Sequence, residues 1–381
     1  MKKHKIAFYE AHFSFFTGAQ QSLLCIMSLL KENGHEVTLI LAGEGELANQ
    51  SRANNIHVCI VPYSQKTSVI NTQLNSIKNL YKLLNYNLRI RKLLVKLEAD
   101  FLVCNNHIAV LLTGLAGKSA RKKLIWNINS DRKNHLTDTF ALLISNEIIT
   151  ISEGVKNMFS IGSFKKHEHK FTTIHTGFPL EKFSKNLAII NPSDKIIIGI
   201  VGTIHEGKGY TELIEVFKRI SDKYNHVDLH IAGKPPHNIT RRKYLDNLDK
   251  TILSYEIENR VHFKGWYANI ETFLAEIDIF IQMSRNEGLP RAVIEAMAMH
   301  IPVVATKAGG TYEAVEDEKS GFLIDIGDTE EAINKLSFFI ENKDARIAFG
   351  KRGREIVEEK FQPDVYLKNF EAVLNKYAKT R

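Results

Sequence analysis

Residues 195–202 read KIIIGIVG, an almost fully apolar run that is typical of a buried strand. The stretch before it is polar and contains Asn191-Pro192-Ser193-Asp194, a sequence that favours a turn. On both sides of this point, short runs rich in Ile and Val alternate with longer segments of helical period. The run therefore starts a second series of strands and helices. A domain boundary is predicted in the polar stretch that precedes residue 195.

The alternation of strands and helices predicts, in each half of the chain, a parallel sheet covered by helices on both faces. We expect two doubly wound, Rossmann-like α/β domains that face a central cleft, at 1–185 and 190–363, and a last amphipathic segment, 364–381, that packs back on the first domain. Ligands of such sheets bind beyond the carboxyl ends of the strands. Strands are predicted at 6–9, 37–41, 56–60, 100–104, 123–128, 147–151, 171–174, 195–202, 227–232, 260–264, 277–282, 302–305 and 321–324. Helices are predicted at 19–33, 210–220, 239–254, 290–299, 329–341 and 345–359.

The composition is that of a globular protein, with 44% hydrophobic and 25% charged residues in a chain of 381. No run approaches the roughly 18 apolar residues that a membrane span needs. The three cysteines, Cys25, Cys59 and Cys104, fit no disulfide framework and no metal spacing. We therefore expect buried thiols and a cytoplasmic protein.

The positive charge is concentrated in the first half of the chain. Residues 1–190 contain 24 Lys and Arg against 13 Asp and Glu, whereas residues 191–381 contain 27 against 30. A basic first half predicts an anionic partner such as a membrane surface, a phosphorylated acceptor or an acidic glycan; the alternative is that the charges only face water. Nucleic acid is not expected, because aromatic residues do not alternate with the basic clusters.

One basic segment, 77–97, is the candidate for peripheral contact with the inner face of the membrane. The alternative is a structural helix whose charges face water. Its basic residues are Lys78, Lys82, Arg89, Arg91, Lys92 and Lys96.

The segment with the most chemical information, 284–298, reads SRNEGLPRAVIEAMA. Pro290 fits the first position of a helix, and Gly288 lets the backbone approach a ligand closely. The helix N-terminus would then present free N–H groups to a diphosphate. Glu287, just ahead of the helix, is suited to accept hydrogen bonds from sugar hydroxyls, and Glu295, inside it, from a vicinal diol such as ribose.

Glu287 and Glu295 are eight positions apart, and in the setting EGLPRAVIEAMAMHIPVVATKAGG they resemble the E-x7-E signature of retaining GT-B glycosyltransferases, in particular glycosyltransferase family 4. The resemblance covers nearly the whole chain and is densest over 196–325. It implies transfer of a sugar from a nucleotide-diphosphate-sugar to a glycan or lipid-linked acceptor in cell-surface polysaccharide or glycoconjugate biosynthesis. By the same resemblance Glu287 holds the transferred sugar, Glu295 holds the ribose, and the departing phosphate is the base in a same-face attack.

Other residues receive roles through the same resemblance. Lys208 is implied to pair with the donor phosphates and, with Glu287 and Asn129, to form the catalytic group. No D-x-D sequence occurs, so no cofactor and no obligatory metal are expected. Donor contacts are implied for Thr203, Lys264, Gly288, Leu289, Arg291, Gly309 and Gly310, and acceptor-side contacts for Gly18 and His135.

The sequence departs from the family pattern at three places. Thr203 stands where the phosphate loop usually has Arg, and Asn129 stands where the family often has His, with His135 as a nearby substitute. The opening Gly pair is reduced to Gly18. Two alternatives therefore stay open: a nucleotide-sugar epimerase on the same two-domain plan, and a non-catalytic nucleotide-sugar-binding protein with a degenerate site. A dinucleotide dehydrogenase is not expected, because no G-x-G-x-x-G follows either first strand.

Overall fold

The computed structural model describes residues 2–14, 16–63, 77–129, 135–183, 195–233 and 239–378. The chain divides into two compact units. The first comprises Met1–Phe178 and Pro363–Arg381, and the second comprises Pro179–Gln362. The predicted turn at 191–194 lies outside the described residues.

The first unit contains a parallel sheet of seven strands in the order β3-β2-β1-β4-β5-β6-β7. The strands are β1 (Lys5–Glu10), β2 (Glu36–Leu41), β3 (His57–Ile60), β4 (Phe101–Cys104), β5 (Lys123–Ile128), β6 (Glu147–Thr150) and β7 (Phe171–Thr173). The helices are α1 (Gly18–Glu32), α2 (Glu46–Ala53), α3 (Ile77–Lys96), α4 (His107–Ser119), α5 (His135–Ile144), α6 (Ile161–His167) and, from the end of the chain, α14 (Pro363–Ala378).

The second unit contains a parallel sheet of six strands in the order β10-β9-β8-β11-β12-β13. The strands are β8 (Ile196–Val201), β9 (Val227–Ala232), β10 (Val261–Gly265), β11 (Ile279–Gln282), β12 (Val303–Thr306) and β13 (Gly321–Ile324). The helices are α7 (Tyr210–Lys223), α8 (Ile239–Ser254), α9 (Ile270–Ala275), α10 (Arg291–Ala298), α11 (Thr311–Ala314), α12 (Thr329–Glu341) and α13 (Lys343–Lys360). The prediction of two doubly wound parallel sheets is confirmed.

Helix α14 completes the core of the first unit. Its buried side chains, Tyr366, Phe370, Val373 and Leu374, join the cluster that β1 and α1 form. Glu371 is also buried and lies 2.8 Å from His35 Nε2, a residue that precedes β2. The segment that ends the sequence therefore packs on the unit that begins it.

Two sequence expectations need correction. Pro290 occupies the N-cap position of α10, one residue before the first helical position, because its ψ of 80° lies outside the helical region. All three cysteines are thiols, but only Cys104 is buried. Cys59 is half-buried because β3 is the edge strand of its sheet, and Cys25 is half-buried on α1.

Candidate functional site

Three loops of the second unit contact one another at the carboxyl ends of β8, β11 and β12. The loop after β8 contains a 3-10 turn, Glu206–Lys208, and the Gly207 carbonyl oxygen accepts a hydrogen bond from the Arg285 N–H at 2.9 Å. The loop after β12 joins the same group, because the Gly310 N–H donates to the Gly288 carbonyl oxygen at 3.0 Å. Since β8 pairs with β9 on one side and β11 on the other, the loops lie at the point where strand order reverses.

Two glycines make this close approach of loops possible. Gly309 has φ +53°, and a Cβ added there would lie 1.5 Å from the carbonyl oxygen of Glu287. Gly209 has φ +69°, and its Cβ would lie 2.0 Å from the carbonyl oxygen of Met283. Both contacts are with backbone atoms, which side-chain rotation cannot move. The segment from Met283 to Glu287 therefore contacts two positions, 209 and 309, at which only glycine fits.

Lys208 and Glu287 form an ion pair between the loops after β8 and β11. The Lys208 Nζ lies 2.5 Å from the Glu287 Oε1. The Glu287 side chain is 11% exposed and that of Lys208 is 26% exposed. The pair thus lies in a partly desolvated position where charges interact more strongly than in bulk water, yet both groups remain accessible to a ligand.

Helix α10 holds the second glutamate of the motif. Glu295 is buried, and its Oε1 accepts a hydrogen bond from Arg291 Nε at 2.7 Å, one helical turn earlier. Burial raises the pKa of the Glu295 carboxyl, while the charge and hydrogen bond of Arg291 act in the opposite direction. Arg291 thus compensates a carboxylate that the fold desolvates.

The structure brings together five residues to which the family resemblance gives catalytic or donor-binding roles: Lys208, Glu287, Gly288, Gly309 and Gly310. Leu289 is buried in the same loop. Thr203, after β8, and Lys264, in β10, are exposed. Neither forms a hydrogen bond with Lys208 or Glu287 in the part of the chain that the structure describes.

A second polar cluster lies in the first unit, at the carboxyl ends of β1, β4 and β5. We call it the amide cluster. Of its members, sequence analysis singles out only Asn129. Two features of the sequence could have indicated the rest. The apolar strand β1 ends in a charged residue, Glu10, and the apolar strand β4 is followed directly by Asn105 and Asn106. The members of the amide cluster are Glu10, Asn105, Asn106, Asn127 and Asn129.

The hydrogen bonds of the amide cluster converge on Glu10 and Asn105. Glu10 accepts from Asn105 Nδ2 at 2.7 Å, from Asn106 Nδ2 at 2.6 Å and from the His12 N–H at 2.8 Å. Burial raises the pKa of the Glu10 carboxyl, and these hydrogen bonds oppose the shift. Asn105 Oδ1 accepts from Asn127 Nδ2 and from Asn129 Nδ2, both at 2.8 Å.

The other two residues predicted in the first unit each begin a helix. Gly18 is the first residue of α1, directly after its Thr17 N-cap. His135 is the first residue of α5, and its side chain lies outside the described part of the structure.

Within the described ranges, no group of three or more His, Cys, Asp or Glu is placed to hold a metal ion, and none of the helices combines the length and the hydropathy that a membrane span requires.

Comparison with known proteins shows what the two units are similar to. Residues 183–356 match the family model of glycosyl transferases group 1, and this segment contains every residue of the loop site in the second unit. The whole structure resembles HepE from Anabaena, which was solved in complex with UDP-glucose. The TM-score is 0.80 at 20% identity, over 98% of this chain and 100% of that chain. The chain has the fold and the C-terminal domain of a GT-B glycosyltransferase.

Two curated relatives of this GT-B chain are bacterial glycosyltransferases. The capsular polysaccharide biosynthesis glycosyltransferase CapM of Staphylococcus aureus is 28% identical over 257 residues, which is 64% of this chain. The lipopolysaccharide core biosynthesis glycosyltransferase LpsE of Rhizobium meliloti is 29% identical over 180 residues, which is 46% of this chain. The matches span 65% and 50% of the lengths of these relatives.

Proposed function

We propose that the chain transfers a sugar from a nucleotide-diphosphate-sugar to a glycan or lipid-linked acceptor, with retention at the anomeric carbon. The observation that supports this most directly is the Lys208–Glu287 pair, held at the strand-order reversal of a glycosyl transferases group 1 domain. The match to CapM favours a role in cell-surface polysaccharide or glycoconjugate biosynthesis. The likeness to HepE with UDP-glucose favours a UDP-sugar donor.

The proposed chemistry assigns separate tasks to the two charges. The bond between the anomeric carbon and the β-phosphate oxygen breaks, and its electron pair leaves with the nucleoside diphosphate. The ammonium group of Lys208 stabilises this leaving group electrostatically. The acceptor oxygen bonds to the same face of the anomeric carbon, and its proton passes to the departing phosphate. The carboxylate of Glu287 orients the sugar through its hydroxyls.

We expect Glu295→Ala to weaken nucleotide binding at least tenfold, because it removes a buried carboxylate assigned to the ribose hydroxyls and leaves Arg291 without that partner. Thermal unfolding with UDP, GDP, ADP, dTDP and CMP identifies the nucleotide, since a ligand of the native state raises its stability by mass action. Repeating the titration on Glu295→Ala tests the residue, with the exposed Glu215→Ala as the matched control. An unchanged titration curve in Glu295→Ala would remove the ribose assignment.

We also propose that transfer requires no divalent metal, because Lys208 supplies positive charge that a metal would otherwise bring to the diphosphate. Turnover measured in EDTA is then expected within about twofold of turnover in MgCl₂, a difference below about 0.4 kcal/mol in activation free energy. Turnover that EDTA abolishes and added Mg²⁺ restores would contradict this.

Helix α3 supports a proposal of peripheral membrane contact. One face is buried against the first unit: Asn87 Nδ2 donates to the Leu112 carbonyl oxygen at 2.9 Å, and Asn87 Oδ1 accepts from the Ala116 N–H at 2.8 Å. The opposite face carries exposed apolar side chains and exposed cations, and the helix contains no Asp or Glu. The exposed apolar residues are Leu80, Tyr81, Leu84, Leu88 and Val95, and the exposed cations are Lys82, Arg89, Arg91, Lys92 and Lys96.

This combination fits an anionic lipid surface, because apolar side chains can enter the headgroup region while the cations attract anionic lipids. We expect the chain to sediment with vesicles containing phosphatidylglycerol at low salt, and to be released as salt screens the attraction. Leu84→Ser/Leu88→Ser should reduce the bound fraction at least fivefold. Leu253→Ser, an equally exposed leucine on α8 of the second unit, is the control. Equal sedimentation of both variants would refute the proposed surface.

A further inference from the structure

The amide cluster lies at the strand-order reversal of the first sheet. β1 pairs with β2 on one side and with β4 on the other, Glu10 is the last residue of β1, and Asn105 follows β4 directly. Parallel sheets of this kind bind ligands beyond the carboxyl ends of the strands at such a point. Glu10, Asn105 and Asn127 are buried, whereas Asn129 is half-buried. Asn106 is also half-buried, but its amide donates to Glu10 and accepts from the Ala109 N–H. The cluster therefore joins buried groups to two residues that a ligand can reach.

Glu10 decides which way each amide of the cluster points. An ionised carboxylate only accepts hydrogen bonds, whereas a primary amide has one donating and one accepting end. Asn105 must therefore turn its NH₂ group toward Glu10, at 2.7 Å. Its oxygen is then left on the other side, where it accepts from Asn127 and Asn129. The Glu10 carboxylate thus fixes Asn105 and Asn106 directly, and it fixes Asn127 and Asn129 through Asn105.

The orientation of Asn129 follows from this chain of bonds. Its NH₂ group donates to Asn105 Oδ1 at 2.8 Å, so its carbonyl oxygen occupies the other branch of the amide. No residue within the described ranges donates to that oxygen. Asn129 thus offers an acceptor, held in a fixed direction, at the carboxyl end of β5.

We propose that Glu10 is a positioning residue that acts through Asn105 to orient Asn129, whose oxygen accepts a hydrogen bond from a hydroxyl of the carbohydrate substrate. This inference rests on the proposed function, because it presupposes a carbohydrate at this end of the sheet. The hydroxyl belongs either to the acceptor or to the transferred sugar. Both supply the same O–H donor, and kinetics with each substrate varied in turn distinguish them.

Glu10→Gln tests the inference with a residue of the same shape. The glutamine oxygen can keep the Asn106 and His12 donors, but its NH₂ group then faces the NH₂ group of Asn105. This clash of two donors is removed if the Asn105 amide rotates by 180°. The Asn129 amide must then rotate as well, and its NH₂ group would face the substrate in place of its oxygen. We expect kcat/KM to fall at least tenfold, with KM raised for the one substrate whose hydroxyl meets Asn129.

The double variant Glu10→Gln/Asn105→Asp is the rescue. In this variant the carboxylate lies at position 105. It accepts hydrogen bonds from the NH₂ group at position 10 and, as in the wild type, from the NH₂ groups of Asn127 and Asn129. Asn129 therefore keeps its native orientation. We expect kcat/KM within threefold of wild type. If Glu10→Gln alone does not fold, the double variant decides: recovery supports the inference, and failure to recover kcat/KM overturns it.

A double-mutant cycle with Asn129→Ala separates positioning from a general structural role. If Glu10 acts through Asn129, Glu10→Gln adds nothing to the loss already present in Asn129→Ala. Additive losses, or wild-type kinetics in Glu10→Gln, would overturn the inference. A wild-type chain that transfers no sugar at all would instead overturn the proposed function, so the two failures are distinguishable.

Discussion

Lys208→Ala is expected to reduce turnover by about 10²-fold, the usual cost of removing one preorganised charge at a developing anion. The effect should be on kcat more than on KM, since charge accumulates on the diphosphate as the glycosidic bond breaks. The loss also leaves Glu287, which is 11% exposed, without its ion-pair partner. Steady-state kinetics with the nucleotide-sugar selected by thermal unfolding measure both constants.

Lys218→Ala is the matched control for this prediction. Lys218 lies on α7 of the same unit and pairs with Asp222 at 2.6 Å in an exposed position. Exposed ion pairs contribute little, so this variant should keep wild-type turnover. Wild-type turnover in Lys208→Ala would remove the leaving-group assignment. Nucleotide binding by the wild-type chain without any transfer would instead favour the degenerate-site alternative.

The second large effect is expected at Gly309→Ala. The new Cβ would lie 1.5 Å from the Glu287 carbonyl oxygen, so the loop after β12 and the loop that carries Glu287 cannot keep their present separation. Overpacking of this kind costs up to about 3 kcal/mol of stability. Displacement of Glu287 should also weaken binding of the nucleotide-sugar at least tenfold. Urea unfolding and a binding titration on the same sample measure the two effects.

Gly327→Ala is the control that separates collision from backbone strain. Gly327 has φ +87°, comparable to the +53° of Gly309, but a Cβ there meets nothing within 4 Å. Its cost should be the strain of the left-handed conformation alone, about 1 kcal/mol, with unchanged binding. Equal losses in both variants would mean that the contact between Gly309 and Glu287 does not position the site.

The sequence predicts most of the fold because local periodicity carries it. Apolar runs such as 195–202 identify strands without knowledge of their neighbours, and the helix at 239–254 is observed with the predicted bounds. The Cys59 environment was predicted wrongly, because a local apolar context does not reveal which strand lies at the edge of a sheet. Pro290 differs by one residue, since the N-cap and the first helical position favour similar local sequences.

The two polar sites differ in how far sequence could find them. Glu287 and Glu295 lie in one short segment, so their spacing is visible along the chain. The contact of Gly309 with Glu287 was not predicted, because it depends on how two loops turn after separate strands. Glu10 and Asn105 are 95 positions apart, and only the pairing of β1 with β4 brings them together.

The position of α14 has a consequence for synthesis on the ribosome. Four side chains of α14 complete a core whose other buried members all precede residue 175, and the second unit is translated in between: Tyr366, Phe370, Val373 and Leu374. During synthesis the first unit therefore lacks α14, and part of its apolar surface stays uncovered until about 190 further residues have been made. A fragment that stops at Phe178 would keep that surface exposed, so it is a poor choice for expression in isolation.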